Sequence, residues 1–227
     1  IVFGDWSSDV CSSDLVYYRF APDASIEEAY DKVARRPIVS LGEKGNLLAI
    51  YHDMPHSYEA WDIDFYYPEQ FCSHAQGLSF ERTGSGPVLD GIRFHLKIGE
   101  SELIQDVWLP MDSPALTFHT RIDWKETRKL LRVEFPVDPH AIEANCEIPF
   151  GYFSRPAIVN TGWDFAKFEF CARRYVDVSV ADHGVALINE SKYGYSCREG
   201  KLGMSLLRAP LNPDPDADIG RHEFSYK

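Results

Sequence analysis

Strict alternation of apolar and polar residues constrains this chain more than any other feature. In residues 92–98 the even positions Ile92, Phe94, Leu96 and Ile98 are apolar, while Arg93, His95 and Lys97 lie between them. Residues 131–137 repeat the pattern, with Leu131, Val133, Phe135 and Val137 separated by Arg132, Glu134 and Pro136. A period of two sends alternate side chains to opposite faces of a strand. Each segment is therefore expected to turn an apolar face inward and a polar face to water.

Further strands are expected at residues 16–20, 47–51, 115–124, 165–171, 185–189, 202–207 and 223–226, where β-branched, aromatic and other apolar residues gather. Turn-forming residues fall between them, at 42–46, 83–87, 110–114 and 212–218. Short strands at this spacing predict an all-β chain, an antiparallel β-sandwich rather than βαβ units. The best helix candidate is residues 25–34, with Ser25 as a cap and Glu28 three positions on. The Ala29-Tyr30-Asp31-Lys32 stretch reads equally well as a strand end. No repeat of solenoid length and no interdomain linker is visible.

Residues 1–14 have a different texture. Ser7-Ser8-Asp9 recurs as Ser12-Ser13-Asp14, with neither strand nor helix periodicity. The segment reads as a translated adapter remnant, an artefact, or otherwise as a disordered tail. It is set aside from fold reasoning, which leaves residues 15–227 as one domain.

Composition narrows the function classes. Hydrophobic residues make up 44% of the chain and aromatic ones 14%, enough to build a core. A net charge of -12 argues against nucleic acid, because phosphate binding needs clustered Lys and Arg. No apolar run approaches the roughly 20 residues needed to span a bilayer, so no membrane partner is expected. The five cysteines, Cys11, Cys72, Cys146, Cys171 and Cys197, are scattered and form no C-x-x-C pair. That argues against a disulfide framework or zinc knuckle and for a reducing cytoplasm. The sequon at Asn189-Glu190-Ser191 carries no meaning in such a compartment.

Three local constellations invite chemistry. His52 and His56 have the i, i+4 spacing of helical metal ligands, but Pro55 opposes that helix; a polar loop is the blander reading. Asp214, Asp216 and Asp218 alternate as in a calcium loop, yet the sixth and twelfth positions hold Ile219 and Ser225 in place of Gly and Glu. An ordinary Pro/Asp turn is the alternative. Trp61 with Asp62, inside residues 59–64, matches the ring-plus-carboxylate pattern that holds sugars; a structural Trp in the sandwich core competes with it. Glycoside hydrolysis needs two carboxylates roughly 5–10 Å apart, and among 35 acidic residues spacing alone selects no pair. Nucleophile-elbow, phosphate-loop and dinucleotide fingerprints are missing.

Many longer words in one order carry a resemblance. They include Tyr30-Asp31-Lys32, Arg35-Arg36, Gly45-Asn46-Leu47-Leu48, Asp53-Met54-Pro55-His56-Ser57-Tyr58-Glu59-Ala60-Trp61-Asp62-Ile63-Asp64 and Arg121-Ile122-Asp123-Trp124. Later come Arg155-Pro156, Asn160-Thr161-Gly162-Trp163-Asp164, Lys167-Phe168-Glu169, residues 185–195, Ser205-Leu206-Leu207-Arg208-Ala209-Pro210 and Ile219-Gly220-Arg221-His222-Glu223-Phe224. Together they resemble the C-terminal β-region of glycoside hydrolase family 38 α-mannosidases of the cytosolic and bacterial type, over about residues 16–226. Tyr58-Glu59, Ala157-Ile158, Gly162, and Arg173 with Tyr175 depart from the usual family residues, and leave substrate preference open.

The resemblance implies a galactose-mutarotase-like supersandwich, incomplete at its C-terminal end. It implies a retaining enzyme acting on mannose-containing oligosaccharides. An Asp nucleophile, a second acid and a zinc ion would be carried by an N-terminal catalytic domain. None of the motifs bearing them is in this chain, so no catalytic residue and no zinc ligand is assigned here. The chain alone is expected to be inactive and only marginally stable. The family alignment places Arg208 where an arginine of the β-region approaches the sugar pocket; a core-edge strand arginine is the alternative. Trp61, Asp62 and Arg208 are the candidate substrate-binding residues. A free-standing carbohydrate-binding sandwich, or a sugar-epimerase-like sandwich using a His with an acid, are the competing functions.

Overall fold

The computed structural model of the chain describes residues 9–137 and 141–227. In chain order the strands are β1 Val10–Ser12, β2 Val16–Phe20, β3 Ile26–Asp31, β4 Arg36–Pro37, β5 Leu47–His52, β6 Phe71–His74, β7 Gln76–Ser85, β8 Leu89–Ile98, β9 Ser101–Pro110 and β10 Thr117–Trp124. They continue as β11 Lys129–Pro136, β12 Glu143–Ile148, β13 Gly151–Pro156, β14 Phe170–Cys171, β15 Tyr175–Ser179, β16 Gly184–Ile188, β17 Gly194–Arg198, β18 Lys201–Arg208 and β19 Gly220–Tyr226. Among the described residues the helical pieces are a single 3-10 turn at Tyr67–Gln70 and a short helix, α1, at Gly162–Phe165. The all-β antiparallel expectation holds.

Every pairing between strands is antiparallel, in four sheets ordered β1-β2-β3-β4, β19-β10-β9-β8-β7, β14-β17-β18-β11-β5-β6 and β13-β12-β15-β16. The five- and six-stranded sheets face each other. Phe118 of β10 meets Phe135 of β11 with ring centroids 6.1 Å apart, and Tyr226 of β19 stacks on Phe118 at 5.0 Å. Ile92, Phe94, Leu96 and Ile98 supply the core face of β8, as their alternation requires. The β1–β4 sheet closes one flank, where Phe20 packs on Phe94 at 5.7 Å.

Several expectations need correction. Residues 1–8 of the segment set aside lie outside the described residues. The remainder is not irregular: Val10–Ser12 forms β1, paired with β2 from Val10↔Arg19 to Ser12↔Tyr17, and Cys11 is fully buried. Of the two readings of residues 25–34 the strand holds and the helix does not, since Ile26–Asp31 is β3. Thr83 and Gly84 belong to β7, and the turn is displaced to the residues after Ser85. Strand structure within 165–171 is confined to Phe170–Cys171, because Phe165 ends α1.

The largest correction concerns β11. Its polar face does not meet water: Arg132 and Glu134 are buried. Ala49, Tyr51 and Leu130 on that outer face, with Tyr67 of the 3-10 turn, make a second small core, and Ile63 and Phe168 pack against it. The loops before β6 and β14 thus cover the outside of the six-stranded sheet.

Candidate functional site

β5, β11 and β18 lie side by side, and their ends meet at one end of the six-stranded sheet. Register places Lys129 opposite His52 and Leu130 opposite Arg208. The Arg128 carbonyl accepts from Asp53 N at 2.9 Å, and Arg128 N donates to the Ala209 carbonyl at 2.7 Å. Asp53 and Arg208 are thereby brought together although 155 residues separate them.

Arg208 grips Asp53 with its fork. Nε donates to Oδ2 at 2.5 Å and Nη2 to Oδ1 at 2.8 Å. Nη2 also donates to the Glu59 carbonyl at 3.0 Å and the Asp62 carbonyl at 2.7 Å. A planar guanidinium suits this bidentate geometry as a lysine ammonium would not. Asp53 is nearly sealed from water, with the guanidinium as its ion-pair partner.

The loop that Arg208 holds is tied at further points. The Glu59 carboxylate accepts from Arg128 Nη2 at 2.6 Å and from Leu211 N at 2.9 Å. These donors, the Leu211 amide foremost, pull the Glu59 carboxyl below its ordinary range. Tyr58 takes a positive φ of 56°, and Trp61 N and Asp62 N both donate to its carbonyl, closing a tight turn. The Asp64 carboxylate receives the Tyr66 hydroxyl and, at 2.7 Å, His56 N, which likewise hold it low.

This turn lifts Trp61 out of the protein. Its side chain is 70% exposed, which removes the reading of a core tryptophan. The Asp62 side chain is exposed too, and Asp62 meets Arg208 through its carbonyl rather than its carboxylate. The three candidate residues therefore share one loop-and-strand-end assembly, but Arg208 is committed to holding the loop. Sequence reasoning missed Asp53, Glu59 and Arg128 as the fastenings. Asp53 and Glu59 stood inside the family words, and nothing in their spacing revealed the cations they pair with.

A second surface lies beside the loop. Thr161 and Asp164 cap α1 reciprocally. The helix presents Trp163, which is 81% exposed, and Phe165, which meets Phe65 of the loop at 5.4 Å. Arg198 covers the other side of Phe165, 5.4 Å from its ring centre. Tyr58, Trp61, Phe65 and Trp163 are all exposed large rings. Tyr58 and Trp61 meet edge to face with ring centroids 6.4 Å apart.

Among the described residues no three His, Cys, Asp or Glu side chains converge as a metal site. His52 lies 3.1 Å from Lys129 Nζ, and Asp216 N bonds Asp214 Oδ1 at 3.0 Å in a simple turn. A His–acid pair does occur at His119, 2.9 Å from Glu223 and stacked on Trp108 at 5.7 Å, on the outer face of the five-stranded sheet.

The site is thus an antiparallel β-region that braces a loop with ion pairs and exposes aromatic rings beside it. The chain belongs to the glycosyl hydrolases family 38 C-terminal domain family, whose model matches residues 14–216. It is 36% identical over 214 residues to alpha-mannosidase 2C1 of Mus musculus, covering 93% of this chain and 21% of that protein. It is 37% identical over 229 residues to alpha-mannosidase G of Dictyostelium discoideum, covering 98% and 21%. The chain thus spans about a fifth of the length of these relatives. A glycosyl hydrolase family 38 protein from Enterococcus faecalis shares the fold, with a TM-score of 0.78 over 96% of this chain and 29% of that one at 15% identity. No helix among the described residues is long and apolar enough to cross a membrane.

Proposed function

We propose that these residues are the non-catalytic β-region of a retaining, zinc-dependent α-mannosidase that hydrolyses terminal α-mannosides of glycans. Their share is to pack on the catalytic domain and to hold the loop of residues 53–66 against it. The observation that carries this is the Arg208–Asp53 clamp, which fixes a loop whose aromatic rings face outward beside α1. Rings exposed in this number are stable when another surface covers them. The names of the relatives supply the substrate class. In this reading the zinc ion belongs to the catalytic domain; among the described residues no group of three His, Cys, Asp or Glu side chains could hold it.

A cytoplasmic setting belongs to the same proposal. All five cysteines are free thiols. Burial pushes Cys197 up to about 11 and Cys146 up to about 12, so both stay protonated and unreactive.

A chromogenic α-mannoside tests the reading. The 227-residue chain alone is expected to give no turnover, while the full-length protein hydrolyses it. Turnover by the chain alone would sink the assignment. In the full-length protein Arg208→Ala is expected to lower kcat/KM about 10- to 100-fold, a loss of about 1.4–2.8 kcal/mol. Exposed Trp61 beside Asp62 favours a second reading, a stand-alone sugar-binding module. Binding of a mannose oligosaccharide by the isolated chain, abolished by Trp61→Ala, would establish it instead.

A further inference from the structure

A thiol, an ammonium and an imidazole meet where the inner face of the six-stranded sheet runs out to water. Lys129 and His52 stand opposite each other across β11 and β5. By alternation they share the faces of Leu131 and Ile50, which are buried in the main core. Cys72 joins them through a bulge. β6 pairs Ser73 with Ile50 and Phe71 with Tyr51, so Cys72 is the extra residue between two consecutive partners. A bulge re-aims the side chain it carries. Cys72 Sγ accepts from Lys129 Nζ at 3.2 Å, and the same Nζ lies 3.1 Å from His52 Nδ1.

The place suits chemistry rather than packing. Cys72 and Lys129 are half-buried and His52 is exposed, so a small solute reaches the sulfur. Cys11, Cys146 and Cys197 are buried, which closes them off. Among the described residues no third metal ligand joins His52 and Cys72. The thiolate is the form of a cysteine that attacks an oxidant, and an ammonium within hydrogen-bond reach stabilises that anion. The three residues also bracket the loop of residues 53–66. His52 directly precedes it, and the 3-10 turn and Cys72 follow it. Lys129 is next to Arg128, whose carbonyl accepts from Asp53 N.

We propose that Cys72 and Lys129 form a peroxide-driven, thiol-reversible cross-link at the base of this loop. The Cys72 sulfur attacks hydrogen peroxide. An S–O bond forms, the O–O bond breaks, and the second oxygen leaves as hydroxide and takes the thiol proton to become water. The sulfur is thereby oxidised by two electrons to a sulfenic acid, and the peroxide is reduced. A sulfenic acid condenses with a nearby nitrogen to a sulfenamide. Lys129 Nζ gives one proton to His52, and its lone pair attacks the sulfur. An S–N bond forms, the S–O bond breaks, and the hydroxyl leaves as water with a second Nζ proton. The flexible lysine stem lets Nζ close the remaining gap. The bond ties β6 to β11 across β5 and joins residues 57 apart in sequence. Two thiols of a reductant return Cys72 to the thiol and Lys129 to the amine. A reducing compartment therefore keeps the link open, and a pulse of peroxide closes it.

The test treats the full-length protein with hydrogen peroxide, digests it with trypsin and weighs the fragments. A modified Lys129 is not cleaved, so the link joins residues 45–82 to residues 129–132, two hydrogens lighter than the separate peptides together. This species is expected to appear with peroxide and to vanish with dithiothreitol. Lys129→Arg keeps a cation beside the sulfur but removes the attacking amine. It is expected to give no link and to raise the Cys72 sulfenic acid trapped by dimedone at least about tenfold. Cys72→Ser should give neither product. Cys72 remaining a thiol while the exposed Cys171 oxidises would overturn the proposal. So would Cys72 oxidised to sulfenic or sulfinic acid in the unaltered protein without the link, or dimedone labelling that Lys129→Arg leaves unchanged. An equal yield of the link in urea would show that the folded geometry plays no part, and would sink it as well. Peptide masses do not report on mannoside hydrolysis, so a failure here is distinct from a failure of the enzyme assignment.

Discussion

Arg132 is 1% exposed and carries a full charge inside the second core. Its Nη1 lies 2.8 Å from the Glu169 carboxylate and 2.8 Å from Ser205 Oγ, and its Nη2 2.6 Å from Ser196 Oγ. Its guanidinium sits 5.3 Å from the centre of the Tyr67 ring. A methyl group on Gly203 would stand 2.6 Å from Nη2, so glycine there makes room for the charge. Glu134, held by the Tyr51 hydroxyl at 2.6 Å and Lys201 at 3.3 Å, faces the same cation. Burial pushes the Glu169 carboxyl up against the pull of Arg132. Removing the cation leaves two carboxylates buried without it. Arg132→Met is therefore expected to cost about 3–5 kcal/mol at neutral pH, read from urea midpoints. The raised Glu169 value sets the sign of the pH effect. The folded state holds this proton more tightly than the unfolded chain does, so the contribution is complete in acid and declines as pH climbs through the raised value. The Arg132→Met penalty should accordingly shrink in mild acid, and Glu169→Gln should flatten the decline. Glu59 and Asp64 act oppositely: their contribution is present above the ordinary carboxylate range and is lost as pH falls.

At the scale of elements, close approach decides residue choice as much as burial does. β7 passes the turn between β2 and β3 so tightly that a Cβ on Gly77 would sit 2.2 Å from the Pro22 carbonyl oxygen and 2.6 Å from its carbon. Both are backbone atoms and cannot rotate away. Gly77→Ala is expected to cost about 1–3 kcal/mol in thermal or urea unfolding. Gly151→Ala, where nothing lies within 4 Å, should stay within about 0.5 kcal/mol. The same contrast explains which elements were legible. β8 and β11 alternate because one face of each packs on the main core, so they could be read directly. β9 could not: Gln105 and Asp106 are buried, Gln105 bonding Thr120 and Tyr226, Asp106 pairing with Arg93 and Arg121. Partners from β8, β10 and β19 make those polar positions tolerable, and no local pattern announces them. β7 and β13 are edge strands, largely exposed and with glycines; their patterns predicted no strand, and residues 83–87 read as a turn. The site was legible in part. Trp61, Asp62 and Arg208 were named, but Arg208's grip on Asp53 exists only once β11 has brought β5 and β18 to either side of it.

The whole molecule is joined across its two large sheets by a hydrogen-bonded chain in the dry interior. Asn46, just before β5, donates through Nδ2 to the Ala24 carbonyl at 2.9 Å and to Gln105 Oε1 at 2.7 Å. Gln105 Nε2 donates to Thr120 Oγ1 and to the Tyr226 hydroxyl, each at 3.0 Å. The Tyr226 hydroxyl donates to Asn46 Oδ1 at 2.6 Å, closing the ring. All four side chains are buried, and burial drives the Tyr226 phenol far above its ordinary value, so it remains a donor. The ring links β9, β10 and β19 of one sheet to the entry of β5 in the other and to the β2–β3 turn. Its strength lies in completeness, since a buried polar atom that loses its partner costs more than the bond it made. Tyr226→Phe keeps the stacking on Phe118 but strips Asn46 Oδ1 of its donor. It is expected to cost about 1–3 kcal/mol, lowering Tm by about 2–12 °C. Asn46→Ala removes the central residue and leaves Gln105 Oε1 and the Ala24 carbonyl unpaired, so it should cost more. Because the two residues share one ring, the double variant should cost less than the sum of the singles by at least about 0.5 kcal/mol in a thermodynamic cycle. Additive losses would show that the ring does not couple the sheets and that each bond acts alone.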